Sequence, residues 1–260
     1  MNDTNKTNQR AADNQLAKVA VANRLMCLSG FSLLFLSSVA CSSLGLGNED
    51  TLVVTDEGVR EEFAPADLES WTERSFLGNT SYEAVDLDGR TVLKAETDGK
   101  ASLLFRSVNL DLNKFPIVEW SWKITEPYPG DSSVKDYERT QTGDDFPARI
   151  YIVYQEGFLP TDSIAINYVW AGQEPVGASW NNPFTSKAKM VVVESGDENA
   201  GTWQSYRRNI KEDFKTLFGV DVDRVNGYAV MVDGDNSKQK TTSWFDFLAF
   251  LPNDSDKKFR

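Results

Sequence analysis

The residues best placed to do chemistry lie in two stretches of this chain. Asp144 and Asp145 stand just before Arg149. Paired carboxylates accept sugar hydroxyls or bind a hard cation, and a guanidinium fork holds a polar group in a plane. A salt bridge closing a loop uses the same residues and stays open as the plainer reading. Further on, Trp170 and Trp180 flank or occupy a polar segment with Glu174, Asn181 and Asn182. An exposed indole face would stack on the apolar side of a sugar ring while the amides and Glu174 take hydroxyls; in the plainer alternative these rings cover the edge of a sheet. Carboxylate acid–base chemistry of the glycosidase kind needs two facing carboxyls roughly 5 to 9.5 Å apart. Asp144 or Asp145 with Glu194 is the best pair for it, although adjacent Asp144 and Asp145 point to opposite faces of an extended chain.

Composition removes several other chemistries. The chain has no histidine, which excludes Ser-His-Asp and Cys-His nucleophilic machinery, His-rich zinc sites and the usual base near neutral pH. Its formal net charge is −12, and the first 40 residues are net basic, so the remainder is more acidic still. Such a field repels phosphate backbones, and nucleic acid is not expected as a partner. The two cysteines, Cys27 and Cys41, both lie in the N-terminal segment, so removal of that segment leaves a domain without a disulfide.

From Leu25 to Ala40 a mostly apolar run follows Lys18 and Arg24, the layout of a signal peptide. It holds four serines and a glycine and is shorter than the roughly 20 apolar residues a spanning helix needs, which makes a retained anchor the second choice. Ser38-Val39-Ala40-Cys41 resembles the lipobox of bacterial lipoproteins, with Ser38 where that pattern favours Leu. The resemblance implies lipidation of Cys41, and Ser42 after it implies the outer membrane. Cleavage after Val39 or Ala40, giving a soluble periplasmic product, is the alternative.

The elements that must position these groups read as strands. Residues 42–62 are small, polar and acidic and are expected to form a tether. From Phe63 onward, ten β-branched and aromatic runs alternate with turn signals: 82–87, 91–97, 102–109, 117–124, 149–154, 163–170, 189–194, 203–207, 227–233 and 243–251. Val118, Trp120, Trp122 and Ile124 alternate with Glu119, Ser121 and Lys123, which assigns Trp120 and Trp122 to the core. Asp88-Gly89 and Asp98-Gly99 are hairpin turns. One helix is predicted, capped by Asn209, striped by Ile210, Phe214, Leu217 and Phe218, and stopped by Gly219. Asp233-Gly234-Asp235-Asn236 begins like a calcium loop, but Ser237-Lys238 breaks the pattern and a hairpin turn is expected instead. The connections 125–148 and 171–188 are long enough to be functional. The pattern predicts an all-β fold, a two-sheet antiparallel β-sandwich with one short helix.

An ordered series, Gly143-Asp144-Asp145-Phe146-Pro147-Ala148-Arg149-Ile150-Tyr151, Asn182-Pro183-Phe184, Val193-Glu194-Ser195-Gly196, Gly201, Trp203, Arg208-Asn209, Asp213-Phe214, Asp233-Gly234-Asp235-Asn236 and Trp244-Phe245-Asp246-Phe247, resembles the bacterial domain-of-unknown-function family numbered 3047. That resemblance runs from about Phe63 to Leu251. It implies an exported, jelly-roll-like domain similar to galactose-binding-like and carbohydrate-binding modules, and no particular activity. By analogy with such modules Asp246 is the candidate ligand for a structural calcium ion. The expectation is therefore a signal peptide at 1–40, a tether at 41–62, a β-sandwich at 63–251 and a polar tail at 252–260. The protein is expected to be exported, lipid-anchored through Cys41, and to bind a glycan or other small polar ligand without catalysis. A carboxylate-dependent glycoside hydrolase and a structural envelope lipoprotein holding a protein partner are the alternatives.

Overall fold

The computed structural model describes residues 54–156 and 162–253, so the leader, Cys41 and the first part of the expected tether lie outside the described residues. No helix among the described residues is long and apolar enough to cross a membrane. Two seven-stranded sheets pack face to face. The first holds β1 (Val54–Thr55), β2 (Gly58–Glu62), β4 (Ser81–Leu87), β5 (Arg90–Asp98), β7 (Ile117–Ile124), β12 (Gln204–Asn209) and β14 (Lys240–Leu251). The second holds β3 (Thr72–Leu77), β6 (Ala101–Asp111), β8 (Arg149–Gln155), β9 (Ser163–Ala171), β10 (Ser179–Asn181), β11 (Ala188–Ser195) and β13 (Arg224–Asp233). The fold is a mostly antiparallel, jelly-roll-like β-sandwich. All ten expected strands are present, and β7 has the predicted bounds.

In the first sheet β14 is the spine. One of its edges carries β7 along nearly its whole length, while the other pairs with β5 over Lys240–Phe245 and with β2 over Phe247–Phe250. The register against β7 slips at Asp246, which occupies a β-bulge. The tether expectation is corrected here. Gly58–Glu62 is a strand of the sheet, Val59 is fully buried and Glu61 nearly so, because alternate residues of this acidic stretch face inward once β14 pairs with it.

The second sheet runs β10-β11-β9-β8-β13-β6-β3. Its β9 and β11 are parallel, a departure from the purely antiparallel expectation. A parallel pair needs a crossover of a dozen or more residues. The length of the 171–188 connection follows from that topology, and β10 forms within it.

Between the sheets the predicted alternation holds. Trp120 and Trp122 are fully buried, their rings 5.5 Å apart, and Trp120 stacks on Tyr168 of β9 at 5.1 Å. Helix α1 (Pro65–Leu68) is a single turn. Helix α2 (Ile210–Phe218) begins where Asn209 Oδ1 accepts from the Glu212 N–H at 3.2 Å and ends at Gly219, whose φ of 72° is the left-handed value that Gly adopts without penalty. Phe214 anchors α2 in the core, edge-on to Tyr154 at 6.2 Å.

Candidate functional site

Asp144 and Asp145 close the first long connection and Arg149 opens β8, and the fold brings to them the turn after β13 and the segment after β10. Arg149 is 1% exposed. Its Nε donates to Asp233 Oδ1 at 2.8 Å, its Nη2 donates to Asp233 Oδ2 and, at 2.6 Å, to the Asp144 carbonyl, and its Nη1 reaches Asp144 Oδ1 at 3.4 Å. The guanidinium also lies 4.7 Å from the centre of the Phe146 ring. Asp144 Oδ2 accepts from the Asn182 amide at 2.8 Å. Asp145 is tied to the turn, where its carboxylate accepts from the backbone and side chain of both Asn236 and Ser237.

Residues 234–239 therefore do not form the expected hairpin turn. They carry the chain from β13 in one sheet to β14 in the other, closed by Gln239 N–H to the Gly234 carbonyl at 3.1 Å. A Cβ at Gly234 would stand 2.4 Å from the Gln239 oxygen, so glycine is required for that closure.

Four carboxyl groups thus surround one guanidinium. Burial is the main cause that lifts the Asp144 pKa to about 6, with Arg149 and Asn182 pulling it back and Asp145 and Asp235 adding to the rise. Asp233 is raised chiefly by burial, against the pull of Arg149. Asp235 is raised by burial and then by Asp145. A desolvated carboxyl disfavours its charged form, and excess like charge does the same. Oxygens of Asp145, Asp233 and Asp235 all lie within 4.8 Å of one another, a spacing a hard cation accepts.

Beside this cluster opens a cleft of about 60 Å³ lined by Tyr128, Tyr137, Glu138, Gly143, Asp145 and Ser237. Its walls are braced. Glu138 is buried and accepts from the N–H groups of Gly172, Gln173 and Glu174 at 2.6, 3.2 and 2.8 Å, which locks the first long connection to the second. Arg139 grips Glu174 with two parallel bonds of 2.8 and 2.6 Å and lies 5.2 Å from the Trp180 ring centre.

Of the residues expected from sequence, Asp144, Asp145, Arg149 and Asn182 are brought together, and Trp180 lies next to them, 6.4 Å from Phe146. Trp170 is corrected to the core: it is fully buried, 6.4 Å from Trp122, and its Nε1 donates to the Gly196 carbonyl at 3.0 Å, so no indole face is left for a sugar. Asn181 is exposed and accepts from Lys189 at 2.6 Å on the opposite face of its strand. Glu194 belongs to another network, accepting from Tyr206 Oη at 2.5 Å and Asn199 Nδ2 at 3.2 Å, and shares no partner with Asp144 or Asp145. Asp246 pairs with Arg90 at 2.8 Å and, among the described residues, does not join a group of three carboxyls close enough to share an ion. Tyr137 and Glu138 lie in the long connection that the sequence offers for a site, whereas Asp233 and Ser237 are placed by the sequence only in a turn. Nothing local to Asp233 indicates its partner Arg149, which is 84 residues away.

No curated protein matches this chain. Among solved structures it resembles the glycoside hydrolase domain of Endo-D from Streptococcus pneumoniae R6 at 9% identity and a TM-score of 0.35, covering 72% of this chain and 22% of that one. It also resembles the xyloglucanase domain of NopAA from Sinorhizobium fredii, in complex with cellobiose, at 8% identity and a TM-score of 0.40, covering 77% and 100%. A third likeness is to the winged bean acidic lectin complexed with methyl-α-D-galactose, at 12% identity and a TM-score of 0.34, covering 76% and 97%. Residues 69–249, which carry Asp144, Arg149, Asn182, Asp233 and the cleft walls, match a single family, and the chain belongs to Protein of unknown function (DUF3047).

Proposed function

We propose that this protein is an exported, lipid-anchored envelope protein whose sandwich binds a glycan or similar small polar ligand in the cleft beside Asp145. The observation that carries the reading is the cleft itself. Half-buried Tyr137 offers a ring face, the Tyr128, Tyr137, Ser237 and Asp145 oxygens that line the cleft keep acceptor lone pairs beside the hydrogen bonds they already make, and the Glu138 and Arg149 networks hold its walls in place before any ligand arrives. Pre-formed walls spare a ligand the entropy of ordering them.

Binding is favoured over hydrolysis because the expected carboxyl pair is divided. Asp144 is occupied by Arg149 and Asn182, while Glu194 is occupied by Tyr206 and Asn199. Hydrolysis of this kind needs two carboxyls that face one another across a single substrate, and these two belong to separate hydrogen-bond networks. Export and the anchor at Cys41 rest on the leader and its lipobox-like end. No nucleic acid is expected as a partner of so acidic a chain.

The test is a glycan array followed by titration calorimetry on the purified protein, beside Tyr137→Ala and Asp145→Asn. Each is run with and without calcium, because Asp145, Asp233 and Asp235 are the carboxyls close enough to share such an ion. A glycan that binds the parent and not Tyr137→Ala supports the reading. Binding unaffected by both substitutions removes the cleft as the site.

A further inference from the structure

The outward face of the first sheet carries a second, different set of groups. Lys123 lies between Trp122 and Ile124, both fully buried, so its own side chain points away from the core. Directly opposite it on β14 is Trp244; opposite Trp244 on β5 is Lys94; opposite Lys94 on β4 is Glu83. On the other side Trp203 immediately precedes Gln204, the residue paired with Trp122. A row Trp203, Lys123, Trp244, Lys94 therefore runs across neighbouring strands on one face.

The Lys123 ammonium lies 5.5 Å from the Trp203 ring centre and 4.6 Å from that of Trp244. Arg90 lies 5.0 Å from Trp203. The other cations have partners, Arg90 with Asp246 and Lys94 with Glu96. Among the described residues Lys123 has the two rings and no carboxylate. Both tryptophans are half-buried, so part of each indole remains in contact with solvent.

We infer that this row is a binding site for a carboxylate-bearing sugar, a uronate unit of a short acidic oligosaccharide. Charge complementarity selects the ligand: an ammonium between two indoles is partly shielded from water and, among the described residues, pairs with no carboxylate, and a ligand carboxylate supplies that partner. Two indoles beside it offer broad, stiff apolar surface for the ring of that sugar or its neighbour. The acidity of the rest of the chain limits the ligand to a short one, because a long polyanion would meet a repulsive field beyond the row. The inference shares with the reading above only the class of ligand, and it does not depend on the cleft.

The experiment titrates the purified protein with a trigalacturonate and, separately, with the neutral galactose trisaccharide, reading tryptophan fluorescence and heat. Lys123→Gln, the double variant Trp203→Ala/Trp244→Ala and Tyr137→Ala are measured alongside, each checked for parent-like far-UV circular dichroism. The expected result is binding of the acidic trisaccharide and none of the neutral one. Lys123→Gln weakens it about tenfold, the double variant abolishes it, Tyr137→Ala leaves it unchanged, and salt near 1 M, where screening acts within about 3 Å, suppresses it. Equal binding of both trisaccharides, or parent-like binding by folded Lys123→Gln, overturns the inference. Loss in Tyr137→Ala alone assigns the acidic sugar to the cleft and overturns it too, while leaving the cleft reading standing.

Discussion

Arg149 and Lys123 are both strand cations set against aromatic rings, and they differ in what else surrounds them. Arg149 is 1% exposed and meets the carboxylates of Asp233 and Asp144. Lys123 is half-buried on the solvent face and, among the described residues, lies over two indoles and forms no ion pair. Removing a charge from water costs several kcal/mol unless opposite charge and hydrogen bonds replace the lost hydration. The buried cation is therefore committed to holding the fold. The surface cation has lost only part of its hydration, needs no internal partner, and stays available to a ligand. The same pair of residue types, a cation and an aromatic, thus makes architecture in one place and a recognition surface in the other.

The strongest way to break the comparison is Arg149→Met. Left without its guanidinium, the buried carboxyl group of Asp233 has no counter-charge, and the expected loss is about 3–5 kcal/mol in denaturant unfolding. A loss below about 1 kcal/mol would mean that the cluster is already neutralised by protons or solvent, and that Arg149 is no more committed than Lys123. Arg149→Lys is also expected to destabilise, since an ammonium cannot form the paired bonds to Asp233. Next comes Glu138→Ala, which strands three N–H groups of the second connection and is expected to cost about 1–3 kcal/mol. A parent-like melting temperature for that variant would show that the two connections hold together without the clamp.

What the sequence discloses follows the reach of its interactions. Alternating runs such as Val118 to Ile124 announce themselves, because burial on one face is a local pattern. Strand β3 does not, since its residues are mostly exposed at a sheet edge and show no apolar alternation. For β2 the signal was misleading: acidic residues suggested a tether, whereas pairing with β14 buries Val59 and Glu61, the latter beside Arg106 at 2.8 Å. In the candidate site, Asp144, Asp145 and Arg149 were legible as neighbours in the chain. Asp233 was not, because its role exists only once β13 and β8 pair. Tryptophans divide the same way. Trp120 and Trp122 sit in a clear alternation, while Trp170 lies at the end of its strand, where the connection after it gave no measure of how deeply it would be covered. Trp203 and Trp244 become a pair only through β7 between them.

A smaller effect comes from protons. The Asp144 pKa is raised from 3.8 to about 6, so the folded state binds its proton more tightly than the unfolded chain does. That contribution is fully present below pH 3.8 and is lost as pH rises through about 6. Between pH 5 and 8 the loss from this group is on the order of 1 kcal/mol. Asp233 and Asp235 are shifted in the same direction. The melting temperature is expected to fall over that interval, and Asp144→Asn to flatten the slope. A slope unchanged in Asp144→Asn would locate the titrating group elsewhere in the cluster.

The least effect on stability is expected from Lys123→Gln, and that small size is what the comparison demands. The side chain leaves no buried partner unpaired, and its removal costs two cation–aromatic contacts at a partly exposed site, each worth about 0.5–1 kcal/mol at most. Glutamine keeps much of the aliphatic stem that covers the indoles and the half-buried ammonium regains hydration when it is removed, so the net loss of unfolding free energy should be at most about 1 kcal/mol. Chemical denaturation of this variant beside Arg149→Met measures both in one series. A loss approaching that of Arg149→Met would make Lys123 a structural cation whose rings serve as its solvent, and the surface row would then have no group to spare for a ligand. A near-zero loss together with weakened binding of the acidic trisaccharide would separate the two cations by role as well as by burial.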